Sequence, residues 1–300
     1  MTVLILGGMD DDHACHVLEH LRFGGSDAEL FDGRWFPSAL QIAYGPAPER
    51  GTLRLPTGRC LAFEEIGSVY WRCYNSVHSA DLSDPEEAYI AANDSRGLFE
   101  SVLIRLPARW VNGWHAYQLH QTKPVQLAMV AALGVPVPAT LLGNDAEAVR
   151  EFAARHPRCV FKPVQGGAHT RHLTPAHLDD DNLRNLALAP VTVQEEIVGT
   201  NIRVFVAGER VLACEVRSES LDFRDDGDPR ITPHQLPDDV AAWCLRAARA
   251  LELLWTGIDL RLTPEGRYVF LEANPSPMFM GFESRSGLPL TGALAALLTD

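Results

Sequence analysis

Lysine is nearly absent from this chain: of its 26 Lys and Arg residues, only Lys123 and Lys162 are lysine. A charge needed only for solubility can be Lys or Arg. Two retained lysines therefore point to places that want a compact ammonium acting as a point charge, as on phosphate oxygens; the competing reading is two solvated surface lysines. Basic runs are lacking as well. Asp and Glu number 39 and the net charge is -13, a balance that repels nucleic acid and anionic membranes and argues against both as partners. The six cysteines form no CxxC pair, which argues against a disulfide framework and for reduced, packed thiols in a cytoplasmic protein. No apolar run approaches the length of a membrane span, and MTVLILGGMDDD has no basic region of the kind that opens a signal peptide, so a soluble cytoplasmic protein is expected. There is no HExxH and no nucleophile elbow around a Ser or Cys, so hydrolytic chemistry lacks its parts.

What is present is an ordinary globular composition in 300 residues, enough for two or three lobes. The apolar run at 2–8, a helix-period stretch over 13–21 and a short run at 28–31 read as a β-α-β opening. Short strands follow at 40–44, 52–55, 60–63 and 68–72, then a long helix over 84–106 with Pro85 at its start. The pattern changes near Trp110–Gly113. Amphipathic helices are predicted over 121–133 and 145–156, with a strand at 159–163 and an acidic turn and helix around 179–188. From Val191 strands alternate with turns to 217, a polar loop spans 221–233, and a helix over 238–253 leads to a hairpin and a last helix over 290–298. The reading is an α/β (α+β) chain divided at 1–114, 115–190 and 191–300.

The hairpin carries the strongest chemical signal. Centred on Glu265-Gly266, it places Asp259 and Glu272 six residues from the turn on either side, facing each other across the ladder. Strand alternation adds Asn274 to the same face. Three oxygen donors there, two of them carboxylates that repel one another, suit a hard cation such as Mg²⁺ that completes its shell with water and substrate phosphates. The alternative for these residues alone is a surface hairpin with solvated acids.

Other motifs are weaker singly. Phe161-Lys162-Pro163 delivers a lysine ahead of Gly166-Gly167, whose backbone N–H groups could close over a phosphate. A hairpin turning at Gly208 would set Arg203 and Arg217 on one face, about 13 Å apart by rise per residue, where they could flank an extended anion; Arg224 follows in the polar loop. A structural ion pair is the competing role for each arginine. His13, His16 and His20 share a helix side, but no carboxylate or cysteine completes a zinc pattern, and a polar helix face explains them. His169 and His172 are candidates for substrate contact.

Taken in order, these residues resemble the ATP-grasp superfamily, and within it the RimK-like ligases and the macrocyclases that tailor ribosomal peptides of the microviridin (graspetide) type. The resemblance covers nearly the whole chain and implies an ATP-grasp fold of two α+β lobes preceded by an N-terminal pre-ATP-grasp α/β domain. VLILGG, the strand Ser68–Arg72 and the join Ala108–Asn112 match that first domain. Lys123 and Lys162 match two lysines placed on nucleotide phosphates, and the loop with Gly166 and Gly167 lies beside them. Glu195, Glu196 and Ile197 match the adenine-binding hinge. Asn201 matches the ribose-side position, where an acidic residue is common; Arg203, Arg217 and Arg224 match the arginines around the γ-phosphate and acyl group. Asp259, Glu272 and Asn274 match the metal ligands. The implied activity is ATP- and Mg²⁺-dependent activation of a carboxylate as an acyl phosphate and its ligation to an amine or hydroxyl of a peptide or amino-acid substrate, by an enzyme of a type that often forms homodimers. A RimK-like amino-acid ligase and a non-catalytic nucleotide-binding module are the alternatives. The segment Pro275–Glu283 departs from both the Gly-Gln-Trp form of the macrocyclases and the RimK form.

Overall fold

The computed structural model describes residues 1–47, 50–78, 81–165, 169–218 and 227–299. Gly166, Gly167 and Arg224, three of the residues predicted for the site, lie outside them.

The first part of the chain runs β1 (Thr2–Leu6), α1 (Asp12–Phe23), β2 (Ala28–Phe31), β3 (Gln41–Ala43), β4 (Thr52–Arg54), β5 (Cys60–Ala62), β6 (Ile66–Trp71), α2 (Pro85–Arg105) and β7 (Arg109–Val111). Strands β2-β1-β6-β7 form a parallel sheet, and β3-β4-β5 a small antiparallel one. All five residues of β1 are buried because both faces of the parallel sheet are covered. Caps explain where the helices begin. Asp11 accepts from Ala14 N at α1, and Asp84 accepts from Glu86 N and Glu87 N at α2, where Pro85 forfeits no bond. One sheet face packs Phe31 and Trp71 with Phe99 and Val102 of α2.

The middle part follows as α3 (Trp114–Gln121), α4 (Lys123–Ala132), β8 (Thr140–Gly143), α5 (Ala146–Arg155), β9 (Cys159–Pro163), β10 (Arg171–His172), α6 (Asp180–Leu183) and β11 (Val191–Glu195). Its antiparallel sheet has the order β10-β9-β11-β8. The sequence reading placed 191–195 in the third segment, but this strand pairs with β8 and β9, so the crossover to the next sheet comes after Glu195. At that crossover a Cβ on Gly199 would lie 2.2 Å from the Leu262 carbonyl oxygen, a close approach that only glycine permits.

The last part comprises β12 (Thr200–Ala207), β13 (Arg210–Arg217), β14 (Arg230–Pro233), α7 (Asp238–Ala250), β15 (Trp255–Leu262), β16 (Tyr268–Asn274), α8 (Met280–Ser286) and α9 (Leu290–Thr299). The antiparallel order is β14-β13-β12-β15-β16. One face packs Ile202, Val204 and Phe270 against α4 and α7. On the other, Phe205 and Val216 join a core that also holds Val3 and Ile5 of β1 and Leu294 of α9. The C-terminal helix thus covers the N-terminal sheet, and Ser68 Oγ donates to Leu298 O at 2.6 Å.

Candidate active site

Register decides which side chains meet on the five-stranded sheet. In β15 and β16, Asp259 stands directly opposite Glu272 and Gly257 opposite Asn274, as the sequence predicts, but the route differs. Beside the turn, Leu262 pairs with Tyr268 across a loop of Pro264, Glu265 and Gly266, with Gly266 at φ 82°; continued without interruption, that register would put Leu271 opposite Asp259. A bulge at Leu271 restores the two acids to facing positions.

The second hairpin departs from expectation. Its turn joins Ala207 to Arg210 through Gly208 and Glu209, which places Cys214 opposite Arg203. That is one residue off the register that a turn at Gly208 alone would set, and a one-residue slip moves a side chain to the other face. Arg217 therefore does not share a face with Arg203. It is exposed and pairs with Glu215.

Asn201, Arg203, Asp259, Glu272 and Asn274 share one face. Arg203 is 7% exposed, and its Nη1 donates to Asp259 Oδ1 at 2.6 Å. Its guanidinium lies 5.5 Å and 5.7 Å from the ring centres of Phe205 and Phe282. Nε finds no acceptor among the described residues. Gly257 makes the room: a Cβ there would come within 2.7 Å of the Arg203 Cζ and of Pro277. Asn274 Nδ2 donates to Glu272 Oε1 at 3.2 Å, and the Thr256 hydroxyl donates to the Asn274 carbonyl at 2.8 Å.

Lys123 reaches this face from the first turn of α4, its Nζ 3.0 Å from Glu272 Oε2. Burial alone would raise the pKa of Glu272. The charges of Lys123 and Lys162 and the hydrogen bonds from Lys123 and Asn274 outweigh it and hold the pKa at about 2. The two lysines of the chain, one on a helix and one on β9, thus bear on the same carboxylate. Gln126, three residues along α4, donates to Ala273 O at 2.8 Å and accepts from Ala273 N at 2.9 Å, fixing α4 to the free edge of β16. His120 stands close by, where burial first and then the charge of Lys123 push it below the usual imidazole range.

The hinge residues lie at the crossover. Glu195 N donates to Ala139 O at 2.9 Å, and Glu196 N donates to Arg158 O at 2.9 Å. The Glu196 carboxylate is tied to Arg158 at 2.9 Å and to His172 at 3.4 Å, and a hydrogen bond from Arg158 is the main cause of its lowered pKa. Ile197 is half-buried beside it, and His169 is exposed.

Two carboxylates and an amide oxygen form a hard donor set without imidazole or thiol, which fits Mg²⁺ and leaves positions for phosphate oxygens. Among the described residues no three His, Cys, Asp or Glu side chains gather as an alternative metal site.

Sequence reasoning missed Gln126, Arg72, Asn112 and Ser276. Gln126 left a trace, as a polar residue on the apolar side of an amphipathic helix; the others act across lobes and left none. Arg72 and Asn112 directly follow β6 and β7, and both reach the backbone just after Asn274.

An antiparallel sheet bearing paired acids, a facing lobe that brings a lysine, and a lysine at a helix start define an ATP-grasp enzyme. The profile of the RimK-like ATP-grasp domain matches residues 123–298, and the chain belongs to that family. Over 99% of this chain and 97% of the other, it is 33% identical, with a TM-score of 0.84, to the ATP-grasp ligase PsnB solved with minimal precursor, Mg and ADP. The macrocyclase MdnC from Microcystis aeruginosa, bound with precursor peptide MdnA, is 25% identical over the full length of both chains, with a TM-score of 0.87. A probable alpha-L-glutamate ligase of Mannheimia succiniciproducens is 29% identical over 66% of this chain and 71% of its own. A second, of Alkalilimnicola ehrlichii, is 28% identical, and the match spans only 60% of its length. The cofactors of this fold are ATP and Mg²⁺. No helix among the described residues is long and apolar enough to cross a membrane.

Proposed function

We propose that this ATP-grasp ligase acts on a peptide, activating a side-chain carboxylate as an acyl phosphate and joining it to a hydroxyl or amine of the same peptide. One observation carries the choice of peptide: two ligases solved with precursor peptides align with this chain over 99% and 100% of its length, at 33% and 25% identity.

Neither an amine nor a hydroxyl displaces hydroxide from a carboxylate at neutral pH, so the acid first needs a leaving group. Mg²⁺ held by Asp259, Glu272 and Asn274 would neutralise charge on the β- and γ-phosphates. Lys123 and Lys162, whose charges both bear on Glu272, would bind the phosphates. Arg203, buried against two phenylalanines, would stabilise charge on the transferring phosphoryl group. Glu195, Glu196 and Ile197 serve the adenine, Asn201 the ribose, and Gly166 and Gly167 the phosphates. Arg224 keeps its proposed place around the γ-phosphate and acyl group, and Arg217 would reach that region only by leaving Glu215, since it lies off the face of Arg203.

The test is ADP release with a peptide rich in Thr, Ser, Asp and Glu, together with the product mass. Loss of one water per bond is expected. With free amino acids supplied, a gain of one amino-acid residue mass would favour the RimK-like alternative, and nucleotide binding without ADP release would favour a regulatory module. Glu272→Gln and Asp259→Asn should each abolish ADP release while the fold stays intact by circular dichroism, at a lower melting temperature because each removes the partner of a nearby cation.

A further inference from the structure

In open parallel sheets a ligand crevice forms at the carboxyl ends of strands where the chain order reverses. In the N-terminal sheet the reversal falls between β1 and β6, since β2 flanks β1 on one side and β6 and β7 lie on the other. Here a segment of the chain itself docks at that edge. Arg72, the residue after β6, donates through Nη1 to Ser276 O at 3.0 Å and to Ser276 Oγ at 2.9 Å. The Ser276 hydroxyl donates back to Arg72 O at 2.5 Å. Asp11, the cap of α1, accepts from Arg72 Nε at 2.9 Å and fixes the guanidinium from behind. Asn112, at the end of β7, donates to Pro275 O at 2.8 Å. Both residues that follow Asn274 are thus gripped by the N-terminal lobe, and Phe279, fully buried, packs 4.8 Å from the His13 ring of α1.

We infer that Arg72 is a positioning residue for the metal site: oriented by Asp11, it sets the backbone at Ser276 and thereby the direction of Asn274 and the register of Glu272. The inference rests on the reading of Asp259, Glu272 and Asn274 as the metal ligands. The forked guanidinium is what the geometry uses, since one planar group meets Asp11 and both oxygens of Ser276, which a lysine ammonium cannot reproduce. Outer partners of metal ligands typically account for roughly 10-fold to 100-fold in metal affinity.

The experiment measures the Mg²⁺ concentration that half-saturates tightening of AMPPNP binding, alongside ADP affinity in EDTA, for full-length wild type, Arg72→Lys and Ser276→Ala. The expected result is a rise of roughly tenfold in the Mg²⁺ midpoint for both variants, with ADP affinity in EDTA unchanged. Ser276→Ala keeps the backbone acceptor and serves if Arg72→Lys folds poorly. An unchanged midpoint overturns the inference, and so does an equal loss of affinity with and without Mg²⁺, which would mark a merely structural contact. Glu272→Gln separates the two readings: if it too leaves the midpoint unchanged, the ligand assignment itself fails; if it abolishes the tightening while Arg72→Lys does nothing, only the positioning role fails.

Discussion

At the scale of single residues, charge placement dominates. Glu272 is half-buried, yet its carboxyl is held at about 2 from an ordinary value of 4.5, because Lys123 and Lys162 stabilise the ionised form more than burial opposes it. A folded-state pKa below the unfolded one adds stability that is complete above the unfolded value and disappears as pH falls toward the folded one. Lys123→Met removes the nearer ammonium. The gap in urea midpoint between wild type and Lys123→Met should therefore widen as pH rises above about 2 and level off once Glu272 has ionised in the folded variant as well. A gap independent of pH across this range would show that Lys123 does not hold the carboxylate. The scarcity of lysine marked both of these residues in the sequence. The environment of Arg203 left no such mark, since the space above Gly257 and the ring of Phe282 come from elements far along the chain.

At the scale of elements, the question is what keeps β16, an edge strand, in a fixed register. Gln126 answers for one side. It is 4% exposed and pairs both amide groups with Ala273, between the two candidate ligands of that strand. Gln126→Leu keeps similar bulk but leaves a buried N–H and C=O without partners, at about 1–3 kcal/mol each. A fall of about 2–6 kcal/mol in unfolding free energy is expected from urea titration, with weaker nucleotide binding because the strand edge loosens. Element type was readable from period and caps, as at β1 and α2, where the apolar run and the Asp84-Pro85 pair are local signals. Register was not. The predicted pairing of Asp259 with Glu272 holds through a bulge at Leu271, whereas the same reasoning at Gly208 put Arg217 on the wrong face by one residue. Helix α8 begins inside Pro275–Glu283, where apolar and turn-forming residues mix, and its placement depends on Phe279 and Phe282 entering the core shared with the N-terminal sheet.

At the scale of the whole molecule, the N-terminal lobe is fastened to the candidate site by side chains that read backbone. Asn112 is 2% exposed, and its amide is fully engaged: Nδ2 donates to Trp255 O and Pro275 O, and Oδ1 accepts from Leu254 N and Trp255 N. Asn112→Ala should cost about 3–5 kcal/mol by calorimetry, several buried groups losing partners at once. Asn112→Asp should be at least as damaging despite its matching shape, because a carboxylate oxygen would face two carbonyl oxygens now 2.7 Å and 2.8 Å from the amide nitrogen. An Asn112→Asp protein as stable as wild type would contradict the two carbonyl contacts described for the amide nitrogen.

By itself the sequence determined the identity and order of the chemical groups: two lysines ahead of the hinge, the hinge acids, and an Asp, a Glu and an Asn brought to one face by strand alternation. These are local facts, set by a period of two and by turns a few residues long. Tertiary structure decided which arginine looks at the metal ligands and what steadies them. Arg72 and Ser276 are 204 positions apart, and Asn112 and Pro275 are 163 apart. Contacts at such separations follow from how lobes pack and from one-residue choices of register, neither of which a local pattern encodes.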